Sequence, residues 1–361
     1  MRLFVKRAWA RDSSFSLGPH NATAVTEICG KLEGIPLAIE LAAVRVGTLS
    51  LEQISDRLGG SLDLLTRGGR TAEPRQRTLK GTLDWGHDLL SEPEQILFRR
   101  LSVFAGGWTL KAAETVASGG DGVEEGEVLD LLSGLVETSL MLAEEQKESV
   151  LRYRMVEPVK QYGREKLEEA NESASVRRRH ADFFLALAER AQPKLRGPED
   201  KKWLDRLESE HDNMRAALSF ALESEDAELA MRLAGVLGTF WYMHSHSDEG
   251  RKWLEAALAR DEGAPLAVRI RVLEALYWLA FDRWDHERAE AIASEAMELS
   301  AEAEIQRSLA ASLRVMSAGP AWVRGGYERG RELLEESLQI SREAGDRIMI
   351  AEALMQLAGT A

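Results

Sequence analysis

The chain has 361 residues, a formal net charge of −14 and a hydrophobic fraction of 44%, which is typical of a soluble protein of two or three domains. Its acidic balance argues against general nucleic-acid binding, because the phosphates would be repelled. One cysteine excludes an internal disulfide, and no segment has the ~20 apolar residues of a membrane span. Alanine, leucine, glutamate and arginine dominate, so we expect a mainly α-helical, cytoplasmic protein without membrane contact.

Short helices are predicted over residues 1–82. Apolar spacing places them at Arg2–Trp9, from near Asn21, from Pro36 and around Leu51–Leu58. Gly34 interrupts the chain just before Pro36. Proline suits the first turn of a helix, because its missing N–H needs no partner there.

A basic loop follows these helices. Its cationic residues are Arg67, Arg70, Arg75, Arg77 and Lys80. Arg70, Arg75 and Arg77 are candidates for contact with a nucleotide phosphate, an acidic face of the repeats or a partner. A solvated linker explains the same composition, so both interpretations stay open.

Residues 83–167 show the order of a winged helix. Ile96, Leu97 and Leu101 share one face of a helix, and Thr109–Ala117 and Val128–Leu140 supply two more. Two short runs with β character, MLAEE and LRYRMVE, then form a hairpin. Nine acids and no Lys, Arg or His occur over residues 112–146. We therefore expect the third helix to avoid DNA and to pack against neighbouring domains.

Residues 168–361 repeat a helical pattern. SDEGRKWLEAALA, DHERAEAIASEAMEL and GYERGRELLEESLQI each begin their helical face with a small residue, Gly250, Ala289 or Gly330. The period of about 40 residues is typical of paired-helix solenoids such as tetratricopeptide repeats. We expect the concave face to hold a protein partner or a small effector, and the last residues to start a further, incomplete pair.

Taken together, the regions 1–82, 83–167 and 168–361 resemble the C-terminal portion of bacterial STAND-type regulatory ATPases, relatives of the NB-ARC switch proteins. The segments that carry the resemblance are EICGKLEGIPLAIELAA, RTLKGTLDWGHDLLSEPEQILFRRLSVFAGGWTLKAAE, RYRMVEPVKQYGREKL and the repeats. The resemblance implies an NB-ARC-type helical domain, a winged helix and repeats, with a P-loop nucleotide-binding domain upstream. Because the first helix begins abruptly in that pattern, we expect a truncated product or a split gene.

In that family ADP or ATP with Mg²⁺ lies between the P-loop domain, the helical domain and the winged helix. A G-x-P motif closes over the adenine side, and by position the resemblance assigns it to Gly34 and Pro36 when a P-loop domain is present. Without that domain the two residues only break the chain and start a helix. The family's Met-His-Asp motif aligns with Met155, Val156 and Glu157, and valine cannot hydrogen-bond a phosphate as histidine does.

No catalytic residue is predicted in this chain. It contains no G-x-x-x-x-G-K-[ST] motif and no apolar strand ending in paired acids that would hold Mg²⁺. We therefore expect no ATP turnover and no cofactor bound by the chain alone. His244 and His246 resemble a metal pair, but their place in a turn without nearby cysteine predicts solvated side chains and no metal site.

Three functions are compatible with these features. The first is a non-enzymatic sensor and relay module that holds partners through its repeats. The second is a nucleotide-dependent switch, joined to a P-loop domain and controlling transcription. The third, a DNA-binding regulator acting through its wing, is disfavoured by the acidic third helix.

Overall fold

The structure is a computed structural model that describes residues 1–361 except 33, 35, 44, 45, 48, 59–82, 85, 86, 89, 121, 139, 146–150, 225, 261, 262, 302–313, 317, 320, 322–324 and 359–361. The chain divides into two compact units, Met1–His180 and Ala181–Ala361. The predicted domain limits at 82 and 167 stay predictions. The mainly α-helical fold class is confirmed.

Helices α1 to α4 form the first part of the first unit. They are α1 (Arg2–Arg11), α2 (Ala22–Lys31), α3 (Pro36–Ala43) and α4 (Leu51–Leu58). Helix α1 packs against α3, and α2 packs against α4, around the fully buried side chains of Phe4, Val25, Ile28 and Ile54. Ser50 caps α4, because its Oγ accepts from the Gln53 N–H at 3.2 Å while the Gln53 side chain accepts from the Ser50 N–H at 3.0 Å.

The winged helix occupies the rest of the first unit. Its elements are α5 (Glu92–Leu101), β1 (Trp108–Thr109), α6 (Leu110–Ala117), α7 (Val128–Glu137), β2 (Leu142–Glu145), β3 (Leu151–Arg154) and α8 (Glu157–Glu169). The predicted hairpin β2–β3 is confirmed, and β1 adds a third strand, giving the order β1-β3-β2. Trp108 pairs with Tyr153 across the sheet and stacks on Phe104 at 5.0 Å. Both rings are fully buried and anchor the sheet to α5.

A buried arginine lies at the end of α5. Arg100 is 3% exposed and donates to the carboxylate of Glu172 at 2.8 Å and to the carbonyl of Ala117 at 2.9 Å. Arg99 donates to the same carboxylate at 2.9 Å. Two guanidinium groups therefore share one acid, and this pairing ties α5 to the residues that follow α8.

Helix pairs form the second unit. Its helices are the end of α9 (Ser173–Ala191), then α10 (Asp200–Ser209), α11 (His211–Glu223), α12 (Ala227–Met243), α13 (Ser247–Leu258), α14 (Leu266–Asp282), α15 (His286–Ala301), α16 (Tyr327–Ala344) and α17 (Arg347–Ala358). The repeating small residues are buried as predicted. A Cβ added at Gly250 would lie 2.7 Å from the ring of Trp241 in α12, so the two helices of this pair touch through the glycine.

The turns inside the pairs also repeat. Ser245, Trp284 and Gly325 have positive φ angles of 59°, 61° and 79°. The next residue in each case donates its backbone N–H to a carbonyl five positions earlier, as His246 does to Trp241 at 2.9 Å. These turns lie 39 and 41 residues apart in the numbering, which agrees with the predicted period.

Candidate functional site

The second unit carries a groove between its helices, which we call the repeat groove. It is lined by α12, α14, α17 and the segment that follows α9, including Arg196. Its volume is about 610 Å³, in the range of pockets that hold a small ligand or a few peptide residues. The described first helices α12, α14 and α17 therefore supply most of the surface, while the use of a concave face for binding stays a prediction.

The floor of the repeat groove is formed by a close approach of α12 and α14. A Cβ added at Gly238 would overlap the Cβ of Ala275, and one added at Gly235 would lie 3.3 Å from a Val272 methyl. Glycine at these two positions lets the two backbones pack almost directly against each other. The groove is consequently shallow above the glycines and is bounded by the larger side chains on either side.

Apolar side chains bound the repeat groove. Tyr242, Met243 and Met355 line it and are among the exposed large hydrophobic residues of the chain. Trp278 lines it as well, and its indole N–H is buried without a hydrogen-bond partner among the described residues. An exposed aromatic and thioether surface next to an unsatisfied donor is typical of a surface that a ligand covers.

Charged groups complete the repeat groove. Arg196 lies 3.9 Å from Glu352, so one cation is already balanced. Arg271 is half-buried in the lining, and no ion pair joins it to any residue that the structure describes. Glu274 and Asp346 also line the groove, so Arg271 is the position in the described lining where an acidic group of a partner can bind, since burial of an unpaired charge is costly.

The sequence-predicted G-x-P residues lie in the first unit. Gly34 has a φ of +76°, and a Cβ built there would meet nothing within 4 Å. Pro36 is exposed and begins α3, as predicted. The motif thus has the expected local geometry and an open surface. The side chain of Leu37 and the candidates Arg70, Arg75 and Arg77 lie outside the described residues.

The third helix of the winged helix, α7, has an outer face without cations. Its exposed residues include Leu129, Asp130 and Ser133, and Glu124, Glu125 and Glu127 are exposed just before it. Lys111, the nearest lysine before α7 in the sequence, pairs with Glu125 at 2.6 Å. This surface is apolar and acidic, which is the opposite of a phosphate-binding face.

Sequence reasoning did not find the groove residues. Tyr242, Arg271 and Met355 come from three different repeats, and no local pattern marks them as neighbours. The signal that was available is the repeat period itself: once the first helix of each pair is assigned to the concave face, its outward positions are candidates. No helix in the described part of the chain combines the length and apolarity that a bilayer crossing requires.

Comparisons with known proteins agree with this architecture. A family model described as "Winged helix-turn-helix domain" matches residues 90–168. A Mycobacterium tuberculosis protein named "Putative HTH-type transcriptional regulator" is 42% identical over 275 residues, covering 75% of this chain and 30% of that protein. An uncharacterized protein of the same species is 38% identical over 180 residues, covering 50% of this chain and 46% of that protein. The chain thus spans about a third to a half of these relatives.

A solved structure is also similar. It is a STAND protein with a tetratricopeptide repeat sensor from Pyrococcus horikoshii, aligned over 89% of this chain and 56% of that chain at 13% identity and a TM-score of 0.33. Likeness at that TM-score carries no argument by itself. The winged-helix match and the relatives named as regulators agree with the resemblance to the C-terminal portion of a regulator. Residues 90–168 of the chain form the winged helix-turn-helix.

Proposed function

We propose that this chain is the non-catalytic sensor and relay segment of a regulator, and that the repeat groove binds an acidic, partly apolar segment of a protein partner. The single observation that carries the proposal is Arg271, a half-buried cation without an ion pair among the described residues, beside the exposed Tyr242 and Met355. A small acidic effector is the other occupant that this chemistry accepts.

The lining supports a peptide because of its length and chemistry. Helices α12, α14 and α17 contribute in succession, so an extended chain can contact each of them in turn. The aromatic and methionine side chains adapt to several apolar partners, whereas the guanidinium of Arg271 selects a carboxylate by charge and bidentate geometry. Specificity therefore comes from the arginine, and contact area comes from the apolar residues.

A displayed library of random peptides selected on the full chain tests the proposal. We expect the selected peptides to share an acidic residue near an apolar one. Arg271→Glu should weaken their binding at least tenfold, since it replaces attraction by repulsion. Tyr242→Ala should weaken the same peptides through lost contact area.

The matched control is Arg283→Glu. Arg283 follows α14 and pairs with the exposed Asp248 at 3.0 Å. Because Arg283 does not line the repeat groove, its replacement should leave peptide binding unchanged. Equal binding by the Arg271 and Arg283 variants, or selection of peptides without acidic residues, refutes the proposal. If no peptide is selected and small carboxylates bind instead, the ligand of the groove is a small effector and the peptide proposal is wrong.

A second candidate is the nucleotide switch, which the exposed Pro36 after the positive-φ Gly34 favours. In this proposal the G-x-P surface contacts the adenine side of ADP or ATP once a P-loop domain is joined to the chain. Titration of the chain with labelled ADP and ATP should show no micromolar binding. Binding in that range by the chain alone contradicts the view that its nucleotide pocket is incomplete.

A further inference from the structure

Two turns of the second unit bring three histidines and one glutamate together. Glu208 lies at the end of α10 and His211 begins α11, while His244 follows α12 and His246 precedes α13. The positive φ of Ser245 reverses the chain between His244 and His246. Their rings lie nearly parallel, with centroids 6.2 Å apart.

Three of these residues have the geometry of metal ligands. Glu208, His211 and His246 each offer one ligand atom, and these atoms all lie within 4.8 Å of one another. The Nε2 of His246 is 3.0 Å from Oε2 of Glu208, and the His211 and His246 ring centroids are 4.6 Å apart. Ligand atoms around tetrahedral zinc lie roughly 3.3 Å apart, because zinc–nitrogen and zinc–oxygen bonds are about 2.0–2.1 Å long. Only small side-chain rotations separate the cluster from that arrangement.

His211 supplies the independent sign of a ligand. It is 6% exposed, and among the described residues its Nε2 has no hydrogen-bond partner, since the Glu249 carboxylate 3.4 Å away lies outside hydrogen-bond geometry. An unsatisfied buried nitrogen is costly in a folded protein, and a metal ion removes that cost.

The surroundings have the character of a metal site. The ring of Phe240 contacts His211, His244 and His246, with centroids 5.2, 5.4 and 5.7 Å away, and forms an apolar wall. Glu249 lies 3.4 Å from His211 and is held in place by the guanidinium of Arg215 at 2.7 Å. Glu208 is partly exposed, which leaves an entry path from solvent.

We propose that Glu208, His211 and His246 bind one divalent transition-metal ion, with zinc as the ion that the donor set fits. Two imidazoles and one carboxylate favour zinc over magnesium or calcium, which prefer sites built from oxygen. The three ligands leave the fourth position of a tetrahedral site for a water, and the Nδ1 of His244 lies 3.4 Å from the Glu208 carboxylate. The sequence-based prediction of solvated histidines without a metal site stays the alternative that the titration decides.

Metal titration of the full chain tests the site. After dialysis against a chelator, Zn²⁺ added in competition with a chromophoric chelator should bind with one ion per chain. Co²⁺ should give visible absorption typical of a four-coordinate site. Glu208→Gln and His246→Gln each remove one ligand at a partly exposed position, and each should weaken Zn²⁺ binding at least about tenfold.

The matched control is His286→Gln. His286 begins α15, just after the turn at Trp284, and its ring centroid lies 5.7 Å from that of Phe281. It belongs to no metal-ligand group among the described residues. Its replacement should leave the stoichiometry and affinity unchanged. Equal weakening by all three variants, a stoichiometry well below one, or Co²⁺ absorption that survives both ligand variants overturns the proposal. Far-UV circular dichroism of each variant separates loss of ligand from loss of fold.

Discussion

Glu172→Gln should destabilise the first unit by about 3 kcal/mol. Hydrogen bonds from Arg100 and Arg99 outweigh the effect of burial and lower the pKa of this carboxyl from 4.5 to about 2. A shift of that size corresponds to about 3 kcal/mol at roughly 1.4 kcal/mol per unit. The carboxylate is 22% exposed, so the loss lies at the lower end of the roughly 3–5 kcal/mol seen when one partner of a buried pair is removed.

The pH dependence gives this prediction its sign. Because the folded pKa of Glu172 is depressed, its stabilisation is fully present above the unfolded pKa of 4.5 and is lost as the pH falls toward 2. About 0.8 kcal/mol should be gone at pH 4 and about 2 kcal/mol at pH 3. The glutamine variant has no such titration, so the gap between parent and variant should narrow on acidification.

Urea unfolding, monitored by hydrogen exchange in peptides from α5 and α6, measures the stability difference in the first unit alone. Glu168→Gln is the control, since Glu168 is exposed and no ion pair joins it to the described residues. A Glu172→Gln variant as stable as the Glu168→Gln variant at pH 7 refutes the reasoning. So does a stability gap that stays constant between pH 7 and pH 3.

Four further predictions concern backbone and surface. Gly34→Ala should destabilise the first unit by about 1 kcal/mol, because its φ of +76° disfavours a side chain. Gly30→Ala, inside α2 with nothing within 4 Å of the added methyl, should stabilise the first unit by roughly 0.5–1 kcal/mol. Urea midpoints measure both variants, and stability changes of the same sign contradict the roles given to the two glycines. Gly238→Leu should lower the stability of the second unit by about 1–3 kcal/mol and weaken peptide binding, because the added side chain pushes α12 away from α14. Thermal unfolding measures the loss of stability, and an unchanged melting temperature disproves the close approach of the two helices. Duplex DNA should not bind the chain at 150 mM salt, about physiological ionic strength; a steep salt-dependent affinity in fluorescence anisotropy rules this out.

Much of the helical architecture could be predicted because its determinants are local. The small residue at Gly250 and its repeats marked the helix contacts, and Pro36 marked the start of α3. These features depend on spacing within one or two helical turns, which a single sequence shows directly. The winged-helix order was also readable, since helix and strand patterns alternate there over short distances.

Features that depend on distant partners could not be predicted. Strand β1 has only two residues, and it exists because Trp108 pairs with Tyr153, 45 positions later. Arg100 has the composition of a surface residue and is buried only because Glu172 balances it from 72 positions away. Likewise, His246 lies beside Glu208 and His211 only because α12 brings the chain back to them. Single-sequence patterns carry no information about such pairings.

The contact through Gly235 and Gly238 has a mechanical consequence. Where glycines let two helices approach this closely, only small side chains such as Ala275 and Val272 lie between them, so few rotamers can exchange and let one helix slide along the other. Helices α12 and α14 therefore behave as a single stiff wall. A bound partner therefore changes the width of the repeat groove more readily at α17 and at the segment that follows α9, which complete its lining.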